Sequence, residues 1–157
     1  MEKPAADHDH SDETIEELIE LLFFAYRDFI TDPDNILEKL DFGRAHHRVL
    51  HFIDRKPGLT VAELLDLLGI TKQSLARVLK QLVDGDYVEQ VAGPQDRRQR
   101  ELYLTAIGTD LIQRLREPQS RRIHQAIVNA EQSPADIARF LKSMIGEHAK
   151  RQIATLE

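Results

Sequence analysis

Basic and amide side chains recur on one side of the segment from Thr71 to Asp84. Wound as a helix, this segment separates its apolar residues from its polar ones. The polar side holds Thr71, Lys72, Gln73, Ser74, Arg77 and Lys80. Cationic groups bind phosphates, a glutamine can bind adenine through paired hydrogen bonds, and an arginine can do the same with guanine. No acidic residue lies between Thr71 and Val83, so this face suits duplex DNA better than the alternative, an ordinary solvated helix face.

A second basic cluster lies in GPQDRRQR, between the β-prone segments 87–92 and 101–105. A thin hairpin tip that carries Arg97, Arg98 and Arg100 can reach a minor groove, where narrow A·T-rich stretches concentrate negative potential. We expect Asp96 to pair with a neighbouring arginine, fixing the tip and orienting the guanidinium group. The alternative is a solvated turn with incidental charges, but three arginines within four residues are uncommon in a turn.

Two short helices and a tight turn must position the first cluster. Thr60 and Glu63 have the spacing of a capping box, which predicts the start of a short helix. Gly69 is suited to end that helix in the left-handed conformation, and Thr71 is suited to cap the next helix two residues later. So short a turn sets the two helices at a steep angle, as in a helix-turn-helix. With a preceding helix over 43–55 and the following hairpin, the order predicts a winged helix-turn-helix.

The flanking segments are predicted to be helices with more apolar surface than one small lobe can cover. A first helix should run from about 12 to 31 and end at Asp32-Pro33. A helix over 105–130 should be kinked or broken at Pro118, and a last helix should begin at Ser133-Pro134. The first helix is apolar on two sides, which favours an intersubunit contact over the alternative of a central helix in a monomer.

Composition limits the remaining classes. The chain has 157 residues, of which 41% are hydrophobic and 31% are charged, as in a helix-rich globule. It has no cysteine, which excludes disulfides and thiol-based sensing. A net charge of −6 implies that the basic residues form one face of an acidic body. Residues 1–11 are polar and charged, and we expect them to be disordered.

Several function classes lack their sequence signals. No stretch approaches the roughly 18 apolar residues that a membrane helix needs, and the N-terminus does not read as a secretory signal, so we expect a cytoplasmic protein with no membrane partner. Phosphate-binding glycine loops, nucleophile elbows and catalytic metal motifs are missing, so we expect neither an enzyme nor a cofactor. A winged helix that contacts protein instead of DNA stays open, because fold does not fix function.

Three segments resemble the MarR family of bacterial transcription regulators. They are GRAHHRVLHFI, GLTVAELLDLLGITKQSLARVLKQLVDGDYVEQ and GPQDRRQRELYLTAIG. The D-x-R motif of the wing is present as Asp96 and Arg98, and the L-T-x-x-G motif follows as Leu104, Thr105 and Gly108. The resemblance covers roughly 42–115 and is strongest over 59–105.

The resemblance implies a mainly α fold with a small β-wing. After the tail at 1–11, residues 12–157 would form one domain, with a winged helix-turn-helix lobe over 42–108 and a helical dimerisation region over 12–41 and 109–157. It also implies a homodimer on a palindromic operator, most simply a repressor released by a small molecule. By position, Lys72, Gln73, Ser74 and Arg77 would meet the major groove, and Arg98 would enter the minor groove.

Two further sets of residues could receive a signal. Tyr26, Arg44, His46 and Arg48 are candidates for binding a small anionic aromatic or lipophilic effector, with His46 either a hydrogen-bonded core histidine or part of a cleft. His47 and His51 are four residues apart on one helix, with Asp54 one turn later, which is a spacing that zinc, nickel or copper could use. We favour a polar helix face without metal, but a metal-responsive regulator remains an alternative.

Overall fold

The computed structural model describes residues 11–157. These residues form α1 (Asp12–Glu38), α2 (Arg44–Arg55), β1 (Leu59–Thr60), α3 (Val61–Leu68), α4 (Lys72–Asp84), β2 (Val88–Ala92), β3 (Arg100–Leu104), α5 (Ala106–Ala130), α6 (Pro134–Met144) and α7 (Glu147–Ala154). The predicted mainly α class with a small β-wing is confirmed. The tail predicted over 1–11 lies outside the described residues except for Ser11, whose hydroxyl caps α1.

A single core joins the end of α1, α2, α3, α4, the sheet and the first half of α5. Its buried members are Leu37, Val49, Leu50, Ile53, Leu59, Leu64, Leu68, Leu75, Val78, Leu79, Leu82, Val88, Leu102, Leu111, Ile112 and Leu115. They recur at helical spacing along α2 and α4, as the periodicity predicts. Val83 also falls on the apolar side when residues 71–84 are wound as a helix, but it is 36% exposed near the end of α4.

The sheet is antiparallel with strand order β1-β3-β2. In the wing, β2 pairs with β3 from Val88 opposite Leu104 to Ala92 opposite Arg100. β1 was not predicted from the sequence, and it adds Leu59 opposite Leu102 on the other edge of β3. A strand of two residues has no alternation of apolar and polar positions that could reveal it.

The first helix does not end at Asp32-Pro33, and that prediction was wrong. α1 continues through a buried Pro33 to Glu38. Proline has no backbone N–H, so the Phe29 carbonyl loses its usual helical donor. The side-chain amide of Gln119 in α5 lies 3.5 Å from that carbonyl oxygen and can act as a weak replacement. Contact with a neighbouring helix thus overrides the local effect of the proline.

α5 likewise runs through Pro118 without a break. Ion pairs hold it on either side of the proline: Arg116 binds Asp54 of α2, and Arg122 binds Asp32 of α1 at 3.1 Å. These contacts secure the helix against α1 and α2 where its own hydrogen bonding is weakest.

The C-terminal segment begins as predicted, with Ser133 as N-cap and Pro134 in the first turn. It forms two helices and not the single predicted one, because Ile145 is extended and Gly146 caps a new helix. Among residues 11–157, no helix combines the length and the apolar composition needed to cross a bilayer.

Candidate nucleic-acid interface

The turn between α3 and α4 is fixed by hydrogen bonds at each helix end. Thr60 and Glu63 form the predicted capping box at the start of α3. Gly69 ends α3 in the left-handed conformation, with φ 62° and ψ 30°. Arg48 of α2 donates to the Leu68 carbonyl at 3.2 Å, in the last turn of α3, where carbonyls lack helical partners. Local sequence therefore sets the turn, and α2 reinforces it.

The start of α4 uses two of the predicted contact residues to cap the helix. The Thr71 hydroxyl accepts the backbone N–H of Ser74 at 3.1 Å and donates to the Ser74 hydroxyl oxygen at 2.9 Å. The Thr71 side chain is therefore engaged within the protein. Ser74 keeps its own hydroxyl proton, so it can still donate to a phosphate.

Lys72, Gln73, Arg77 and Lys80 are exposed on the side of α4 opposite the core. Lys80 binds Asp84 one turn later, which reduces the positive charge it offers to a phosphate. In the part of the chain that the structure describes, Lys72 and Arg77 form no ion pair. These two cations are therefore available to a ligand.

The wing tip is closed by backbone contacts. Gly93 donates to the Gln99 carbonyl at 2.9 Å, and Gln99 donates to the Asp96 carbonyl at 3.1 Å. A Cβ atom on Gly93 would lie 2.8 Å from the Asp96 carbonyl oxygen, so the tip has no room for a side chain there.

The prediction that Asp96 pairs with an arginine and orients its guanidinium group is wrong. Its carboxylate accepts the backbone N–H of Arg98 at 2.9 Å, and within residues 11–157 it forms no ion pair. The carboxylate thus shapes the turn rather than the side chains. Arg97, Arg98 and Arg100 are exposed and, over the same residues, are free of carboxylate partners.

Comparison with known proteins identifies relatives of this chain. A model described as MarR family matches residues 40–99. The HTH-type transcriptional regulator PetP of Rhodobacter capsulatus is 45% identical over 148 residues, which are 94% of this chain and 89% of PetP. The chain belongs to the MarR family. This assignment confirms the resemblance found in the sequence and the expectation of a regulator rather than an enzyme.

Other similarities are more distant. The exopolysaccharide II synthesis transcriptional activator ExpG of Rhizobium meliloti is 33% identical over 122 residues, which are 74% of this chain but only 62% of ExpG. A mutant of MarR from E. coli, solved in complex with operator DNA, has a TM-score of 0.62 and 23% identity, covering 88% of this chain and all of that one. The structural match shows that the fold is shared.

The L-T-x-x-G motif of this MarR-family chain joins the wing to α5. Thr105 caps α5 by accepting the backbone N–H of Gly108 at 3.0 Å, and its own backbone N–H donates to the Tyr87 carbonyl at 3.1 Å. A Cβ atom on Gly108 would lie 2.0 Å from the Tyr87 carbonyl oxygen. Glycine at position 108 therefore lets the chain before β2 lie closer to the start of α5 than any residue with a side chain would permit.

A cleft lies between the α1–α2 bend and α4 of the MarR-family lobe, with a volume of about 450 Å³. Its charged lining residues are Glu38, Asp41, Arg44 and Arg77, and His46 forms part of its wall. The structure thus brings together two of the four predicted effector residues. Arg44 is also paired with Asp34 at 3.0 Å.

The other two effector candidates lie elsewhere. Tyr26 is 59% exposed on α1 and does not line this cleft. Arg48 binds the end of α3 and does not line it either. Gln81, which no sequence pattern indicates, also lines the cleft and binds His46 from 35 positions away.

Among residues 11–157, no third ligand completes the histidine pair of α2. Asp54 is ion-paired with Arg116, and the structure of residues 11–157 contains no group of three or more histidine, aspartate or glutamate side chains arranged to hold a metal. Burial lowers the pKa of both His47 and His51, with the Arg116 charge adding to the effect on His51. This geometry does not favour the metal-responsive alternative.

Proposed function

We propose that this MarR-family protein is a transcription regulator that binds an inverted repeat in duplex DNA as a homodimer. The observation that carries the proposal is a set of exposed cations without carboxylate partners among residues 11–157: Lys72, Arg77, Arg97, Arg98 and Arg100. They lie on α4 and the wing of a chain whose net charge is −6. A cluster of exposed, unpaired cations on two neighbouring elements is the electrostatic signature of DNA binding.

The two elements have different tasks in this proposal. α4 enters the major groove, where Gln73 reads adenine, Arg77 reads guanine or holds a phosphate, and Lys72 and Ser74 bind phosphates. The Thr71 side chain contributes indirectly by capping the helix. Lys80 adds a weaker phosphate contact because Asp84 competes for it.

In the wing, Arg98 enters the minor groove. Arg97 and Arg100 hold the flanking backbone, and Asp96 keeps the tip in shape.

The apolar surface of α1 supports the homodimer. Ile15, Leu18, Ile19, Leu21, Leu22, Phe23 and Phe24 are all 42% or more exposed. Five of these side chains and Phe140 and Met144 of α6 line one continuous apolar groove. Contiguous apolar patches on a soluble chain mark contact surfaces, and a second copy has the same groove to cover. We propose that residues 12–41 and 109–157 form this dimerisation region and that residues 42–108 form the DNA-binding lobe.

The proposal includes regulation by a small molecule. A dimer bound across a promoter blocks access to that DNA, so repression is the effect that binding alone produces. The cleft beside Arg77 is the site we propose for an anionic aromatic or lipophilic effector. A molecule that engages Arg77 there removes the arginine from DNA, which releases the operator.

Titration of a fluorescent duplex from the chain's own upstream DNA tests the proposal. Anisotropy should show binding that weakens with salt, with a log–log slope of about −0.9 for each phosphate neutralised. A winged helix that contacts only protein would show no binding even at low salt, which would refute the proposal.

A further inference from the structure

His46 connects three parts of the molecule from a nearly buried position in α2. Its side chain is 5% exposed, and its ring stacks on Phe42 with centroids 4.4 Å apart and planes 11° from parallel. Phe42 in turn meets the edge of Tyr87, at 5.4 Å and 74°. The ring of His46 is therefore held by packing as well as by hydrogen bonds.

Both ring nitrogens of His46 are bonded, and the partners define its tautomer. The backbone N–H of Gly43 donates to Nδ1 at 3.0 Å, so Nδ1 carries no proton. Nε2 must then carry the proton, which it donates to Oε1 of Gln81 in α4 at 2.7 Å. Burial, reinforced by the Arg77 charge, lowers the pKa of His46, which keeps the ring in this neutral form at neutral pH.

Gln81 lies one helical turn after Arg77 on α4. The bond from His46 therefore joins the start of α2 to the helix that carries the proposed base-reading residues. Apolar packing alone lets two helices slide by small amounts, whereas a part-buried hydrogen bond with a fixed donor and acceptor favours one position. Flexible lysines and arginines can follow phosphates through such a shift, but paired hydrogen bonds to base edges cannot.

We infer that His46 is a positioning residue for DNA recognition, which acts through Gln81 to fix α4 on α2 and so to align Gln73 and Arg77 with the bases. The inference rests on the proposed function, because it concerns how that DNA is read. It assigns His46 a role in specificity without contact to DNA.

Two substitutions remove the bond. His46→Asn keeps an oxygen that can accept the Gly43 N–H but is too short to reach Gln81. Gln81→Leu removes the acceptor from a half-exposed position and leaves the cap of α2 intact. His124→Asn is the matched control, because His124 is exposed on α5 and, among residues 11–157, bonds only the Ser120 carbonyl of its own helix.

The measurement is the Kd for a scrambled duplex divided by the Kd for a selected duplex, both at one pH and salt concentration. One duplex is recovered from random sequence by selection with the wild-type protein, and the other is a scrambled version of it. Losing one hydrogen bond should weaken binding to the selected duplex roughly five-fold. Binding to the scrambled duplex should stay unchanged, and the double variant should lose no more than either single variant.

The outcomes separate the inference from the proposed function. Loss of folded protein alone would weaken binding to both duplexes equally, so a fall in the ratio is specific to positioning. An unchanged ratio in Gln81→Leu, or an additive loss in the double variant, would overturn the inference while leaving DNA binding intact. Failure of the wild-type protein to bind any duplex would overturn the proposed function and the inference together.

Discussion

Gly108 approaches Tyr87 so closely that a Cβ atom on Gly108 would stand 2.0 Å from the Tyr87 carbonyl oxygen. The same carbonyl accepts the backbone N–H of Thr105 at 3.1 Å. This contact fixes the chain just before β2 against the start of α5. The clashing atoms belong to the backbone, so no change of rotamer can relieve the contact.

We therefore expect Gly108→Ala to destabilise the fold by at least 1–3 kcal/mol, the usual range for overpacking. Chemical denaturation monitored by circular dichroism measures this change. Gly146→Ala is the matched control, because nothing lies within 4 Å of a Cβ atom there and its φ is −75°. If the two variants were equally stable, the close contact would not be what requires a glycine at 108.

Most helices of the proposed DNA-binding lobe could be predicted from the sequence, because residues close to each helix end determine where that helix begins or ends. Thr60 and Glu63, Gly69 and Thr71 each act within four residues of their own position. The prolines did not predict where helices end, because the contacts that matter there come from residues far away in the sequence. Whether Pro33 ends a helix depended on α5, whose Gln119 reaches the Phe29 carbonyl across 90 positions.

In the candidate site, too, features set by nearby residues could be predicted and features set by distant contacts could not. Exposed arginines and lysines could be found from charge and periodicity alone. Their partners could not, since Asp96 bonds backbone and Arg48 bonds the end of α3. The bond between His46 and Gln81 joins two helices and leaves no local pattern.

Asp84→Asn should strengthen DNA binding. Lys80 would lose its carboxylate partner and gain freedom to bind phosphate. We expect about a two-fold gain in affinity at low salt, in keeping with the small energies of exposed ion pairs, and a salt slope steeper by up to about 0.9. Anisotropy titrations over a range of salt concentrations measure both.

Asp110→Asn controls for the change in net charge. Asp110 faces Arg114 with the same four-residue spacing on α5, outside α4 and the strands of the wing. An equal gain in both variants would show that overall charge, not release of Lys80, causes the effect.

Leu22→Asp should dissociate the proposed homodimer. A carboxylate placed in the apolar groove of α1 and α6 would have to be desolvated at the interface. Light scattering should report a mass near 18.0 kDa for the variant and twice that value for the wild type. Val91→Asp, on the wing, should leave the mass unchanged. A wild-type monomer at micromolar concentration would contradict the assignment of this face.

Glu63 should make a small pH-dependent contribution to stability. The backbone N–H of Thr60, 2.8 Å from the carboxylate, lowers the pKa of Glu63, and Lys56 adds to this effect. A lowered carboxyl pKa stabilises the fold above the unfolded value, near 4.5, and this contribution is lost as the pH falls through the folded value.

The expected difference between wild type and Glu63→Gln is a few tenths of a kcal/mol at pH 7, because the site is well solvated. Urea denaturation at pH 7 and at pH 3.5 measures the difference, which should shrink at the lower pH. A difference that grew on acidification would contradict the role given to the carboxylate.

Operator binding by Arg77→Ala and Arg98→Ala tests the central claim most directly, with Arg139→Ala on α6 as the control. We predict that each of the first two changes costs about 1–3 kcal/mol of binding free energy and that the control costs nothing measurable. Arg77→Ala should also relax specificity at one base pair if its arginine reads guanine. Affinity that is unchanged in both Arg77→Ala and Arg98→Ala would contradict the account of α4 and the wing as the DNA-reading elements.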